Sequence, residues 1–203
     1  MIHSVAIDVH LPAGIAGPEP MDFDVRCFLV EHRTGLVLVD TGLPDSEPAL
    51  TRALEKAGAT WSEVSDIVLT HHHPDHVGGL ARVRAFAPQA VVWASPHDRY
   101  EGSVRAMTNG TTLHGLRALE TPGHTPGHLS LLHESDGVLL VGDCLGTRNG
   151  QLIRPPEPFT TDAARAEVSL RRLAALNCEA MLFSHGEPID RPTAALDALL
   201  AAS

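Results

Sequence analysis

The sequence predicts an α/β fold with mixed sheets. Short apolar runs rich in β-branched residues alternate with segments of helical periodicity through the first half, and a hairpin pattern enters in the second. Several of those runs end abruptly at a turn that carries a histidine or an aspartate. With 203 residues, 43% of them apolar, the chain can bury one sizeable core, so a single domain over residues 1–203 is expected.

Residues 5–10 and 23–30 have strand patterning, with a Gly/Pro loop over 12–20 between them. Leu36-Val37-Leu38-Val39-Asp40 reads as a buried strand closed by the Thr41-Gly42 turn. Residues 46–57 carry helical spacing and stop at Gly58. Ile67-Val68-Leu69-Thr70 is a further buried strand, and 79–86 a helix. Residues 90–94 form a strand, after which Pro96 is placed to open a helix at its first turn. Residues 129–133 and 138–141 pair around a Ser135-Asp136-Gly137 turn. The strongest helical pattern covers 162–176, with Thr161 as N-cap. A strand over 180–183 and a helix over 194–202 end the chain.

The formal net charge of −10, from 15 Lys+Arg against 25 Asp+Glu, argues against nucleic acid or an anionic membrane as partner. No cationic segment precedes an apolar stretch at the N-terminus, so no signal peptide is read there. No apolar run is long enough to span a bilayer. Cys27, Cys144 and Cys178 are odd in number and scattered, which suits a reducing cytoplasm better than a disulfide framework. Histidine is the outlier: 13 residues, several beside acids, hint at metal.

The segment Thr70-His71-His72-His73-Pro74-Asp75-His76 is the densest cluster. It follows a buried strand, and Pro74 disfavours helix in the residue before it. In an extended stretch His71 and His73 face the same way, while His72 faces away. Asp75 and His76 fall where the chain turns. Two imidazoles for one ion, and a carboxylate with an imidazole for another, suit Zn²⁺ and its neighbours. The Gly78-Gly79 pair permits a tight turn beside them. His124, Asp143 and His185 also follow turns or strand ends. Each alone reads more simply as a turn or capping residue; together they read as a site. His3, His10, His32, His97, His114 and His133 are taken as surface or core histidines, and Cys144 as a small buried residue.

These motifs resemble the metallo-β-lactamase superfamily. The likeness rests on His71-x-His73-x-Asp75-His76, on Thr121-Pro122-Gly123-His124-Thr125-Pro126-Gly127-His128, on Gly142-Asp143, on Ser184-His185-Gly186 and on Val39-Asp40-Thr41-Gly42, in the family's order. The resemblance implies an αββα sandwich of two mixed β-sheets flanked by helices. It implies that His71, His73 and His124 hold one metal ion, that Asp75, His76 and His185 hold a second, and that Asp143 bridges them. Zn²⁺ is the ion such ligands favour, with iron or manganese as alternatives. Asp40 is read as a carboxylate behind a ligand histidine, fixing its tautomer. His128 is read two ways, as a residue behind the ligands or as the start of a strand.

Two divalent ions about 3.5–4 Å apart would hold a hydroxide between them for attack on the carbonyl of an ester, thioester or lactone, with Asp75 orienting it and taking its proton. No separate acid for the leaving group is evident. The expected partner is a small-molecule substrate, with the oligomeric state open and a homodimer among the options. The Thr-Pro-Gly-His repeat is similar to glyoxalase II, but the helical C-terminal region that grips glutathione has no counterpart after His185. The tyrosine that lactonases carry after the bridging aspartate is replaced by Cys144-Leu145-Gly146-Thr147. Competing readings are a β-lactamase, an iron persulfide dioxygenase using three of His71, His73, His124 and Asp143, and a non-catalytic metal-binding protein. The last is disfavoured because structural zinc sites are closed and usually use thiolates.

Overall fold

The structure, a computed structural model, describes residues 1–14 and 18–202. Part of the predicted 12–20 loop therefore lies outside the described residues. The chain folds into two compact units, Met1–Ile67 with His73–Ala90, and Val68–His72 with Val91–Ser203.

The first unit contains β1 (Ile2–Leu11), β2 (Met21–His32), β3 (Gly35–Val39), α1 (Glu47–Lys56), most of β4 (Val64–Leu69), α2 (Pro74–Val77) and α3 (Leu80–Phe86). Its strands lie in the order β1-β2-β3-β4. The β1–β2 ladder is antiparallel with Val5 opposite Cys27, and β2–β3 is antiparallel with Leu29 opposite Leu38. Leu36, Val37, Leu38 and Val39 are all buried, which explains why β3 is continuous rather than alternating in hydrophobicity. Helix α1 packs against β1 and buries Leu50 and Leu54, one helical turn apart. Pro74 occupies the first turn of α2, where its missing N–H costs nothing.

The second unit holds the end of β4 beside β5 (Val91–Ala94) and β6 (Arg105–Ala106), the last two parallel. It continues with β7 (Thr112–Leu113), β8 (Leu116–Glu120), β9 (Leu129–His133), β10 (Val138–Leu140), β11 (Gly146–Arg148), β12 (Gln151–Ile153), α4 (Ala163–Ala174), β13 (Ala180–Leu182), β14 (Ile189–Asp190) and α5 (Thr193–Ala201). A six-stranded sheet runs β14-β13-β10-β9-β8-β7. Only β10–β13 is parallel in it, because α4 carries the chain across from one to the other. Leu170 and Leu173 of α4 join Leu119, Leu139, Val141, Met181 and Phe183 in one core.

Two local expectations are corrected. Residues 96–100 form a turn and irregular backbone, not a helix, because the Asp98 side chain is engaged by Thr125 and the Gly127 N–H. The N-cap of α4 is Asp162, whose carboxylate accepts from Arg165 N at 2.9 Å. Thr161 instead donates to the His124 carbonyl.

Leu170, 2% exposed, should cost about 2–5 kcal/mol when cut to alanine. Val168, on the same helix but 59% exposed, should change stability by less than about 0.5 kcal/mol. Denaturant unfolding of L170A and V168A measures both.

Candidate metal centre

In the second unit, four sequence-predicted residues come together at the ends of strands. His71 follows β4, where the Thr70 carbonyl accepts from Leu129 N at 2.8 Å and pins the strand end to β9. His124 lies in the turn after β8. Three neighbours fix that turn: Ser169 Oγ donates to the Pro122 carbonyl at 2.6 Å, Asp162 N to Gly123 O at 2.9 Å, and Thr161 N to His124 O at 3.0 Å. The α4 N-cap, the residue before it and Ser169 within the helix therefore hold the backbone that carries His124. Asp143 sits in the short 3₁₀ turn Gly142–Cys144 after β10. His185 follows β13, and its carbonyl accepts from Thr147 N at 3.0 Å.

These side chains converge on one oxygen. Asp143 Oδ2 lies 3.3 Å from His124 Nε2, 3.3 Å from His185 Nε2 and 3.8 Å from His71 Nε2. His71 and His124 meet edge to face with ring centroids 4.9 Å apart. His71, His124 and Asp143 are buried, while 28% of the His185 side chain is exposed, which leaves one side of the cluster open.

In the first unit, His73 is the extended residue before α2, and its carbonyl accepts from His76 N. Asp75 and His76 lie within that one-turn helix, with Asp75 Oδ2 3.8 Å from His76 Nε2. Behind His76, Asp40 Oδ2 is 2.8 Å from Nδ1, and both side chains are essentially excluded from solvent. Asp40 holds a left-handed backbone, φ +59°, a conformation that costs of order 1 kcal/mol for a non-glycine residue. Its neighbour Thr41 ties the same turn down, donating from both N and Oγ1 to the His76 carbonyl. A Cβ on Gly79 would strike the Thr41 carbonyl, so the glycine lets α3 begin against this turn.

Several contributors were not singled out from sequence. Asp98, its side chain fully buried, accepts from Thr125 Oγ1 and Gly127 N, each at 2.7 Å, and lies 3.0 Å from His72 Nδ1. One carboxylate thus holds both the His71-His72 segment and the turn carrying His124. Burial would raise its pKa, but the hydrogen bonds from His72, Thr125 and Gly127 outweigh this and hold the carboxyl below its ordinary value. The signal was available: Asp98 closely follows an apolar strand, like Asp143. Thr160 is another, with Oγ1 3.5 Å from His124 Nδ1. His128, which the sequence did single out, lies directly before β9 and is buried, and its Nε2 accepts from Asp143 N at 2.8 Å.

The donor set fits a divalent transition metal: imidazole nitrogens and carboxylate oxygens. The thiols stand apart from it. Cys144 belongs to the apolar core and is pushed up to about 12 by burial, then by the Asp143 and Glu167 carboxylates. Cys27 is raised well above its ordinary value by burial, then by Asp40 and Asp75.

A mixed-sheet α/β fold whose strand ends gather histidine and aspartate defines a class of metal-dependent hydrolases. A profile of the metallo-β-lactamase superfamily matches residues 21–185, and the chain belongs to that superfamily. It is 32% identical over 168 residues to the thioesterase pkgB of Emericella nidulans, covering 80% of this chain and 46% of that protein. It is 32% identical over 166 residues to a hydroxyacylglutathione hydrolase of Aeromonas hydrophila, covering 79% and 60%. The crystal structure of TTHA1623 in a di-iron-bound form superposes with a TM-score of 0.70 at 26% identity, covering 93% of this chain and 96% of that one. The fold is therefore that of the superfamily, with mixed sheets flanked by helices. The chain spans 46–66% of the length of the first curated relatives it matches. Among the described residues no helix is long and apolar enough to cross a membrane.

Because its folded-state pKa is lowered, Asp98 contributes stability that is complete above the unfolded value of about 3.9 and is lost as pH falls through the lower folded value. The advantage of wild type over D98N should be largest near neutrality and shrink as pH falls below the unfolded value of about 3.9. Thermal unfolding of both proteins across that range measures it; a pH-independent difference would contradict the assignment.

Proposed function

We propose that the chain is a dinuclear metallo-hydrolase acting on the carbonyl of a small-molecule thioester, ester or lactone, with thioesters preferred. The observation that carries the reading is the convergence of three imidazole nitrogens on Asp143 Oδ2. In this reading His71, His73 and His124 hold one ion, Asp75, His76 and His185 the other, and Asp143 serves both. Two divalent ions, when bound, supply Lewis acidity toward a substrate carbonyl and acidify water toward neutral pKa. Zn²⁺ is the first choice on donor chemistry, and the di-iron form of TTHA1623 makes iron the alternative.

The chain's own residues do the rest. Asp40 accepts from His76 Nδ1–H, which turns the Nε2 lone pair toward a metal and raises its basicity. Asp75, 22% exposed, is the carboxylate we assign to take the proton of the attacking water. No side chain is assigned to protonate the leaving group. That asymmetry favours a thiolate, with a pKa near 8.5, over an alkoxide. The thioesterase and hydroxyacylglutathione hydrolase relatives support the same preference.

Elemental analysis of the purified protein should find about two zinc, or zinc and iron, ions per chain. Assayed in parallel, a thioester should give the highest kcat/KM among thioester, oxo-ester, lactone and β-lactam substrates. One iron per chain with no hydrolysis would overturn the reading in favour of persulfide oxidation. D75N, compared with wild type at matched metal loading, should lower kcat by about 10²–10⁴. D40N, which keeps the size but weakens the acceptor, should bind metal about 10–100-fold less tightly in a chelator competition.

A further inference from the structure

His128 is wholly buried and sits at the centre of a hydrogen-bond chain that runs entirely within the second unit. Asp143 N donates to His128 Nε2 at 2.8 Å. His128 Nδ1 is 2.8 Å from Thr121 Oγ1, which is 3.0 Å from Ser130 Oγ. Ser130 Oγ donates to the Val141 carbonyl at 2.8 Å. Thr121, His128, Ser130 and Val141 are all buried.

The two ends of this chain have only one role each. A peptide N–H can only donate and a carbonyl can only accept. Ser130 has one proton and commits it to Val141, so its oxygen accepts from Thr121. Thr121 has then spent its own proton and must accept from His128. Nδ1 of His128 therefore carries hydrogen, and Nε2 offers the lone pair that the Asp143 N–H requires. Reading from the Asp143 end leads to the same polarity, so all four bonds are mutually consistent.

Space at the junction is shaped for this contact. Gly142 has φ +63°, and a Cβ there would come within 2.6 Å of His128 Nε2. The ring of His128 also lies beside those of His71 and His124, with centroids 5.2 and 6.0 Å away. Replacing the backbone bond to Asp143 by a second N–H would set two donors against each other in a buried space, a loss comparable to an unmade hydrogen bond.

We propose that Thr121, His128 and Ser130 form a polarity-fixed relay that positions the Asp143 backbone by locking His128 in its Nδ1–H tautomer. His128 and Thr121 are positioning residues in this scheme. Its consequence for metal retention rests on the metal-ligand role proposed above for Asp143, whereas the tautomer does not.

The test is a long-range ¹H–¹⁵N correlation spectrum of histidine-labelled, zinc-loaded protein, with chelator competition on the same samples. Wild type should show His128 as the Nδ1–H tautomer. T121V leaves the Nδ1–H without its acceptor, so the His128 ring resonances should shift and metal retention weaken about 10–100-fold, while T121S restores both. G142A should weaken retention similarly by displacing the ring. An Nε2–H tautomer in wild type would overturn the proposal without any variant having to fold. So would a T121V protein with unchanged His128 ring resonances and unchanged retention. The Nδ1–H tautomer and the T121V loss, found in a protein inactive on every carbonyl substrate, would support the relay while sinking the hydrolase reading.

Discussion

A carboxylate taken out of water must be compensated, and the second unit is arranged around one. Asp143 is 8% exposed, and its Oδ2 faces the Nε2 atoms of His71, His124 and His185. Neutral imidazoles compensate a buried charge poorly, and with a cation between them the arrangement becomes favourable. A group of this composition has little reason to be buried except to bind.

The burden of holding that group falls on backbone rather than on long side chains. Each residue follows a strand end by two to four residues, where the sheet has already fixed direction. Turns then set the final aim. The α4 N-cap Asp162 and Thr161 before it grip the carbonyls of Gly123 and His124, Thr147 grips that of His185, and His128 meets the N–H of Asp143. Such contacts lose little entropy on forming, because the donors and acceptors belong to elements ordered for other reasons. In the first unit the same economy appears at Asp40, where a strained backbone points the carboxylate at His76.

Long apolar elements were readable from sequence because burial on both faces demands uninterrupted Val, Leu and Ile. β3, β4, β9 and β10 fall within two or three residues of their predicted bounds. Strands β6, β7 and β14, two residues each, carry too few side chains to show a period. β8 was hidden because Arg117 and Glu120 interrupt its apolar pattern at its two half-buried positions, while Leu116, Ala118 and Leu119 are buried. The α4 cap was misplaced by one residue because Thr161 and Asp162 are both cap formers; Asp162 is the stronger, and Thr161 is engaged instead by the His124 carbonyl. The histidine segment was conspicuous by density. Asp98 and Thr121 were not, since single polar residues in Pro/Gly turns have ordinary local explanations, and their partners are 26 or more and up to 9 residues away respectively.

The three free thiols are all buried, Cys27 in the first unit and Cys144 and Cys178 in the second. A buried, protonated thiol reacts only when its surroundings open, so a thiol reagent acts as a clock for opening rather than as a probe of the surface. With Cys27 reporting on one unit and Cys144 on the other, alkylation timed residue by residue distinguishes a chain whose units open independently from one that opens in a single step. The sparse, scattered cysteines that say so little about chemistry thereby turn into built-in reporters of cooperativity.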